Sequence, residues 1–293
     1  MILFAYPEFS GLARELYAGW GLQAGDFAVS RFANQELEVS IDADVTGSDC
    51  LILGSVAPPD ERLLSILLLA HTIKHQRSGE LTLLLPYLAY TRQDKIKPKR
   101  SLAARWMGAL LQASGVDRVI TVDIHSHRAE SLLSIPVVSL SPAPLFSKII
   151  TEQALPDATL VAPDEGAVFR CEALRKELGL RMPLAYFTKT RTAQGVTSEL
   201  QGEVGEFAVV VDDILDTGET LVACCQTLQE AGAKEILVLV THGIFTGNLW
   251  TKLWGLGVKR IYVTDTIPQI PPDRRIKKVS VAPLIRDHLL QPA

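Results

Sequence analysis

Apolar residues in this chain fall into short runs separated by longer stretches in which apolar positions recur every three or four residues. The runs Cys50–Val56, Leu81–Tyr87 and Val119–Asp123 are too short for helices and lack polar alternation, so they read as strands buried on both faces. Ile2–Tyr6, Thr159–Ala162, Leu184–Thr188, Ile236–Thr241, Arg260–Asp265 and Ile276–Val281 read the same way. Helical spacing marks Gly11–Trp20, Asp60–His75, Leu102–Ala113, Ser141–Leu155, Val168–Leu178, Val222–Ala231, Asn248–Leu256 and the terminal Pro283–Leu290. Phe27–Ile41 differs: Leu37, Val39 and Ile41 alternate with polar residues after a polar turn, which predicts a hairpin. Thr192–Glu203 is polar with little periodicity and reads as a loop or short hairpin.

Strand alternating with helix predicts an α/β fold of parallel β-α-β units with helices on both sheet faces. In such folds ligands bind where the carboxyl ends of strands open into loops. The rhythm runs to a boundary near Pro142 and then starts again, without a residue-level repeat. We therefore expect two domains of similar architecture, residues 1–142 and 143–293, each a mainly parallel sheet flanked by helices.

At 293 residues the chain is long enough for two cores, and 47% hydrophobic with 21% charged residues is an ordinary globular composition. A net charge of −4 disfavours a general nucleic-acid surface and leaves a small molecule as the expected partner. Cys50, Cys171, Cys224 and Cys225 show no zinc-ligand spacing and read as reduced, buried thiols of a cytoplasmic protein. The amino terminus lacks the basic segment and apolar core of a signal peptide, and Leu63–Ala70 is too short to span a membrane.

The chemistry concentrates in Val209–Leu221, an apolar strand ending in Asp212-Asp213-Ile214-Leu215-Asp216-Thr217-Gly218-Glu219-Thr220 before a helical pattern. The first N–H groups of a helix have no intrahelical partner, so a loop holding Thr217, Gly218 and Thr220 there offers a cradle for one phosphate. Asp212 and Asp213 at the strand end supply acceptors suited to sugar hydroxyls or a magnesium shell. Other strand ends carry Arg92-Gln93-Asp94 with a basic loop to Arg100, the pair His125 and His127, Asp164, and Lys189-Thr190-Arg191. Arginine suits bidentate phosphate recognition.

The Asp-Asp-x-x-Asp-Thr-Gly-x-Thr spacing resembles the phosphoribosyl-diphosphate loop of type I phosphoribosyltransferases and their relatives. Five further segments narrow the resemblance to the ribose-phosphate diphosphokinases, the enzymes that make phosphoribosyl diphosphate (PRPP). Arg31-Phe32-Ala33-Asn34-Gln35-Glu36 is similar to that family's Arg-Phe-x-Asp-Gly-Glu, and Pro86–Asp94 to its Pro-Tyr-x-x-Tyr-x-Arg-Gln-Asp. Thr121–His125 matches its histidine-bearing strand, Ala162–Gly166 resembles Ser-Pro-Asp-x-Gly, and Lys189–Arg191 resembles its Lys-Arg-Arg catalytic loop.

The resemblance implies two phosphoribosyltransferase-like domains, the first serving ATP and the second ribose 5-phosphate. It implies transfer of the diphosphoryl group of ATP to O1 of ribose 5-phosphate, with magnesium, in a homodimer or homohexamer. By resemblance, Lys189 and Arg191 are catalytic. Phe32, Asn34, Glu36, Arg92, Gln93, Asp94 and His125 bind ATP. Asp212, Asp213, Asp216, Thr217, Gly218, Glu219 and Thr220 bind ribose 5-phosphate, and His125 and Asp164 serve the metal.

The chain departs from the family pattern in four places. The loop Lys95–Arg100 is short, Ser126–Leu133 replaces Ala-x-Gln-x-Gln-Gly-Phe-Phe after His125, Asn34-Gln35 stands for Asp-Gly, and Glu219 stands for glycine. The first two regions build the phosphate and ADP effector site of regulated members, so phosphate activation is not expected here. The third bears on nucleotide preference, and Glu219 is expected to narrow the phosphate cradle. A non-catalytic nucleotide-binding homologue and a phosphoribosyltransferase are the alternative readings.

Overall fold

The computed structural model describes residues 1–18, 21–153, 155, 158–180, 182–192 and 195–290; the side chains of 189–192 and 195–197 are outside that description. The chain forms two compact units, Met1–Leu140 joined by the C-terminal segment from Ala282, and Ser141–Val281.

In chain order the first unit contains β1 (Ile2–Ala5), α1 (Ser10–Tyr17), β2 (Gln23–Ala24), β3 (Phe27–Arg31), β4 (Leu37–Ile41), β5 (Cys50–Leu53) and α2 (Glu61–His75). It continues with β6 (Leu81–Leu84), α3 (Ala103–Ala113), β7 (Arg118–Val122), α4 (His127–Leu132) and β8 (Val137–Leu140). Six strands pair in the order β2-β1-β5-β6-β7-β8, parallel throughout. Both faces of these strands are covered, which is why β5 and β6 are apolar at nearly every position and buried at all. The expected hairpin forms from β3 and β4, pairing Val29 with Val39 as a separate ribbon packed on α2.

The second unit runs α5 (Ala143–Glu152), β9 (Thr159–Ala162), α6 (Val168–Glu177), β10 (Leu184–Thr192), β11 (Gly195–Gln201) and β12 (Phe207–Leu215). Then come α7 (Glu219–Glu230), β13 (Glu235–Gly243), a 3-10 helix Leu249–Leu256, β14 (Val258–Thr264) and β15 (Ile276–Val279). The seven-stranded order is β11-β10-β9-β12-β13-β14-β15, parallel except for the β10–β11 hairpin at one edge.

Alternation along the strands of this sheet builds two cores. Val210, Val238, Val240, Ile261 and Val263 face one side with Leu221, Cys224, Cys225 and Leu228 of α7. Those four recur at helical spacing and form the apolar stripe of α7. Val209, Val211, Leu237 and Leu239 face the other side, against Phe146 and Ile150 of α5 and Cys171 and Leu174 of α6. Each fully buried aliphatic side chain contributes about 1.5–3 kcal/mol relative to exposure.

The last helix, α8 (Ala282–Leu290), packs on α1 and so groups with the first unit, although the linear pattern put it at the end of the second domain. The helix expected over Asn248–Leu256 is a 3-10 helix, and the polar segment after Thr192 is the outer strand of a hairpin. The four cysteines are free and buried; burial pushes the Cys225 thiol up to about 12 and that of Cys50 to about 11. No described helix is long and apolar enough to cross a membrane.

Candidate active site

In the second unit β9 is central: β10 lies on one side of it and β12 on the other. Where strand order reverses in this way, the carboxyl ends part and leave a crevice. Asp164 follows β9 directly, and Asp212 and Asp213 lie near the end of β12. Asp164 caps the turn Glu165–Ala167, accepting from the Ala167 N–H at 3.2 Å.

Asp213 continues the face of Val209 and Val211 toward α6. There Arg170 Nη2 lies 3.3 Å from Asp213 Oδ2, with both side chains under a tenth exposed. Arg170 Nη1 also donates to the Gly166 carbonyl at 3.2 Å. One buried guanidinium thus ties the turn after β9 to the acidic end of β12. Asp212 accepts from the Asp213 N–H at 2.9 Å. Burial, then the neighbouring carboxylates of Asp213 and Asp164, hold its carboxyl well above the usual range, with Arg170 opposing the shift.

The loop beyond β12 is braced from one side. Ile244 and Phe245 N–H groups donate to the Leu215 carbonyl at 2.9 and 3.0 Å, and the Thr246 N–H donates to Asp216 at 3.0 Å. Gly218, with φ of 89°, caps α7; a Cβ there would lie 2.7 Å from Trp250 Cα and 2.8 Å from Trp250 Cβ. Trp250 is fixed in turn by an edge contact with Phe245 at 5.0 Å and a 3.0 Å hydrogen bond from Nε1 to the Gly247 carbonyl. Thr217, Glu219 and Thr220 are exposed at the amino end of α7, where the helix dipole favours an anion; the Glu219 N–H donates to Thr217 Oγ1 at 3.5 Å. Glu219 is itself exposed in the first helical turn.

Lys189 and Arg191 belong by backbone to β10, paired with Ser198 and Val196 of β11; their side chains lie outside the described residues.

In the first unit β6 and β7 are neighbours, and the loops leaving them are joined by side chains. Asp94 is buried and accepts from Ser126 Oγ at 2.6 Å; the same hydroxyl accepts from the Ala129 N–H at 3.0 Å and caps α4. Arg92 and Gln93 are exposed, while the Gln93 carbonyl takes the Ala104 N–H at 3.4 Å and its side-chain oxygen takes the Ser101 hydroxyl. Asp123 is buried with φ of 48°, and the Ile124 N–H donates to Ser139 Oγ at 2.9 Å; partly exposed His125 follows.

Phe32, Asn34 and Glu36 are exposed at the β3–β4 turn. Asn34 Oδ1 takes the Glu36 N–H at 3.2 Å, and Gln35 has a left-handed φ of 73°. Arg31 pairs with Glu61, and the Tyr90 hydroxyl donates to Asp60, so the hairpin and the 90–94 loop are both anchored at the start of α2. The bond to Asp60 raises the Tyr90 phenol to about 12.

Each unit therefore gathers its own expected residues: Asp164, Asp212, Asp213 and Asp216–Thr220 in the second, Arg92–Asp94 and His125 in the first. Arg170, Trp250 and Ser126 were not anticipated. Among the described residues no three His, Cys, Asp or Glu side chains converge as a metal cage. Magnesium is commonly held by one or two carboxylates together with substrate phosphates, and Asp164 and its neighbours are oxygen donors of that kind.

Comparison with known proteins agrees with this geometry. Residues 1–115 match the family described as the N-terminal domain of ribose phosphate pyrophosphokinase, and residues 177–289 match the phosphoribosyl synthetase-associated domain. The chain is 32% identical to a ribose-phosphate pyrophosphokinase of Campylobacter jejuni, covering 96% of this chain and 94% of that one. It is 30% identical to the Bacillus caldolyticus protein of the same name, over 97% and 92%. The crystal structure of phosphoribosylpyrophosphate synthetase from Mycobacterium smegmatis superposes with a TM-score of 0.88 at 29% identity, covering 98% of this chain and 97% of that one. With relatives of this similarity along nearly its whole length, the chain belongs to the ribose-phosphate pyrophosphokinase family.

Proposed function

We propose that the protein is a ribose-phosphate diphosphokinase: the anomeric hydroxyl of ribose 5-phosphate attacks the β-phosphorus of ATP, AMP leaves, and PRPP forms. The observation that carries this reading is the crevice between β9 and β12. There an acidic strand end for sugar hydroxyls stands beside a glycine-bearing loop at the amino end of a helix.

The 5-phosphate is assigned to the N–H groups and hydroxyls of Asp216–Thr220, and the ribose hydroxyls to Asp212 and Asp213. In the first unit Arg92 and His125 are assigned to the ATP phosphates, Gln93 and Asp94 to the same ATP-binding segment, and Phe32, Asn34 and Glu36 to the adenine. Phosphoryl transfer asks the protein mainly for positioning and charge stabilisation. Lys189 and Arg191 are proposed as the cations that brace the transferring group. Asp164 and His125 are the residues proposed to serve magnesium, which supplies charge neutralisation on the phosphate oxygens when bound. A cytoplasmic setting, supported by four free buried thiols, and a homodimer or homohexamer complete the proposal.

The test is to incubate the protein with ATP, ribose 5-phosphate and magnesium. AMP should appear only when the sugar phosphate is present and in equal amount to PRPP. A binding-only homologue would yield no AMP, and a phosphoribosyltransferase would consume PRPP and release diphosphate. Lys189→Ala should lower turnover on the order of 10²-fold while leaving ribose 5-phosphate binding intact, the scale of one deleted transition-state donor; unchanged turnover would remove Lys189 from the mechanism.

A further inference from the structure

We infer that Ser126 is a positioning residue for ATP, latching the Arg92–Asp94 loop to the His125 turn through its hydrogen bond to Asp94. The inference rests on the assignment of Arg92 and His125 to the ATP phosphates.

Three observations carry it. Asp94 is only 6% exposed, so its carboxylate depends on protein partners, and Ser126 Oγ supplies one at 2.6 Å. Ser126 is fixed in position, because the same oxygen accepts the Ala129 N–H at 3.0 Å as the cap of α4. The bond also joins segments 32 residues apart, each carrying an exposed or partly exposed cationic or imidazole side chain one or two positions away: Arg92 before Asp94, and His125 before Ser126.

Other bonds brace the segments on either side of this one. Thr91 Oγ1 donates to the Leu88 carbonyl at 2.8 Å, and Gln93 is held by Ala104 and Ser101 at the start of α3. None of these three bonds reaches the β7 exit. Asp123 and Ile124, on the other side, are fixed to Leu140 and Ser139 of β8 at 2.9 Å each. The Ser126–Asp94 bond thus links two anchored segments, holding the residue two positions after Arg92 against the residue next to His125. Misplacing two groups that grip one polyphosphate weakens its binding without touching sugar-phosphate recognition in the second unit.

The serine also stands at a position where the family motif has alanine, which offers no hydroxyl.

Steady-state kinetics with the full chain tests this. Ser126→Ala should raise the KM for ATP about tenfold, the scale of one hydrogen bond to a charged group, with kcat and the KM for ribose 5-phosphate changed less than twofold. Ser126→Gly, which sacrifices little helix capping, should match Ser126→Ala, whereas Ser126→Thr, which keeps the hydroxyl, should return the KM for ATP to within about threefold of the parent. Arg92→Ala serves as the control for the underlying assignment. If it raises the KM for ATP while Ser126→Ala and Ser126→Gly do not, the latch is refuted and the ATP assignment stands. If Arg92→Ala itself leaves that KM unchanged, the ATP assignment falls first. Equal rises in both KM values with a lowered Tm would make Ser126 merely structural and overturn the inference.

Discussion

Gly218→Ala is the sharpest probe of the phosphate cradle. The glycine has φ of 89°, and its missing Cβ would sit 2.7 Å from Trp250 Cα, 2.8 Å from Trp250 Cβ and 3.0 Å from Trp250 N. Two of these three atoms are backbone, so the clash cannot be relieved by a rotamer change. An L-residue in the left-handed region costs about 1–2 kcal/mol, and forcing a methyl into a packed site costs about 1–3 kcal/mol. We expect a loss of roughly 3 kcal/mol, which for a unit of this size lowers Tm by about 6–12 °C. The loop can relieve the clash only by moving away from the 3-10 helix Leu249–Leu256, which displaces the first N–H groups of α7. The KM for ribose 5-phosphate should therefore rise at least about tenfold, the worth of one charge-assisted hydrogen bond, while the KM for ATP stays within twofold. Thermal melts and two-substrate kinetics report both quantities. A variant with parental Tm and parental KM for ribose 5-phosphate would refute the reasoning.

Three further outcomes follow from the site. Arg170→Met leaves Asp213 buried without its guanidinium and should cost about 3–5 kcal/mol in urea unfolding; adding Asp213→Asn should recover part of that loss. Asp212 binds its proton more tightly folded than unfolded. Its contribution to stability therefore falls as pH rises from the ordinary aspartate value of about 3.9 through the raised native value, and remains a penalty above it. Asp212→Asn should accordingly raise Tm at pH 7–8 but not near pH 3.5, at the expense of ribose 5-phosphate affinity; a Tm difference independent of pH would contradict this. Finally, the replaced segments after Asp94 and His125 predict no activation by inorganic phosphate, which a steep rise of activity with phosphate would refute.

Local pattern made the strand and helix order legible because strands buried on both faces and amphipathic helices write their burial directly into sequence. The apolar stripe Leu221, Cys224, Cys225 and Leu228 is visible before any coordinates, and so is the Asp212–Thr220 loop between its strand and helix. Two elements of the first unit were not legible: α4 has only six residues, too few for a helical period to emerge although Ser126 is a recognisable capping residue, and β8 is an edge strand partly exposed at all four positions, without the buried apolar run that marks β5 and β6.

Long-range electrostatics was hidden for a different reason. Arg170 sits in a helix of weak amphipathicity and reads as a surface arginine; only the alternation that turns Asp213 toward α6 makes it a buried partner. Trp250 was likewise an ordinary apolar helix residue until Gly218 was seen against it. The grouping of α8 with the first unit depends on contact with α1 at the opposite end of the chain, which local periodicity does not encode.

The central claim, that this chain moves a diphosphoryl group intact from ATP to the anomeric oxygen of ribose 5-phosphate, is tested most directly by phosphorus NMR of the reaction with magnesium. The account predicts AMP together with a coupled pair of diphosphate resonances on the sugar, with the β- and γ-phosphorus of ATP both transferred and the 5-phosphate unchanged. ADP with a singly phosphorylated anomeric carbon, or ATP persisting with no transfer, would contradict it.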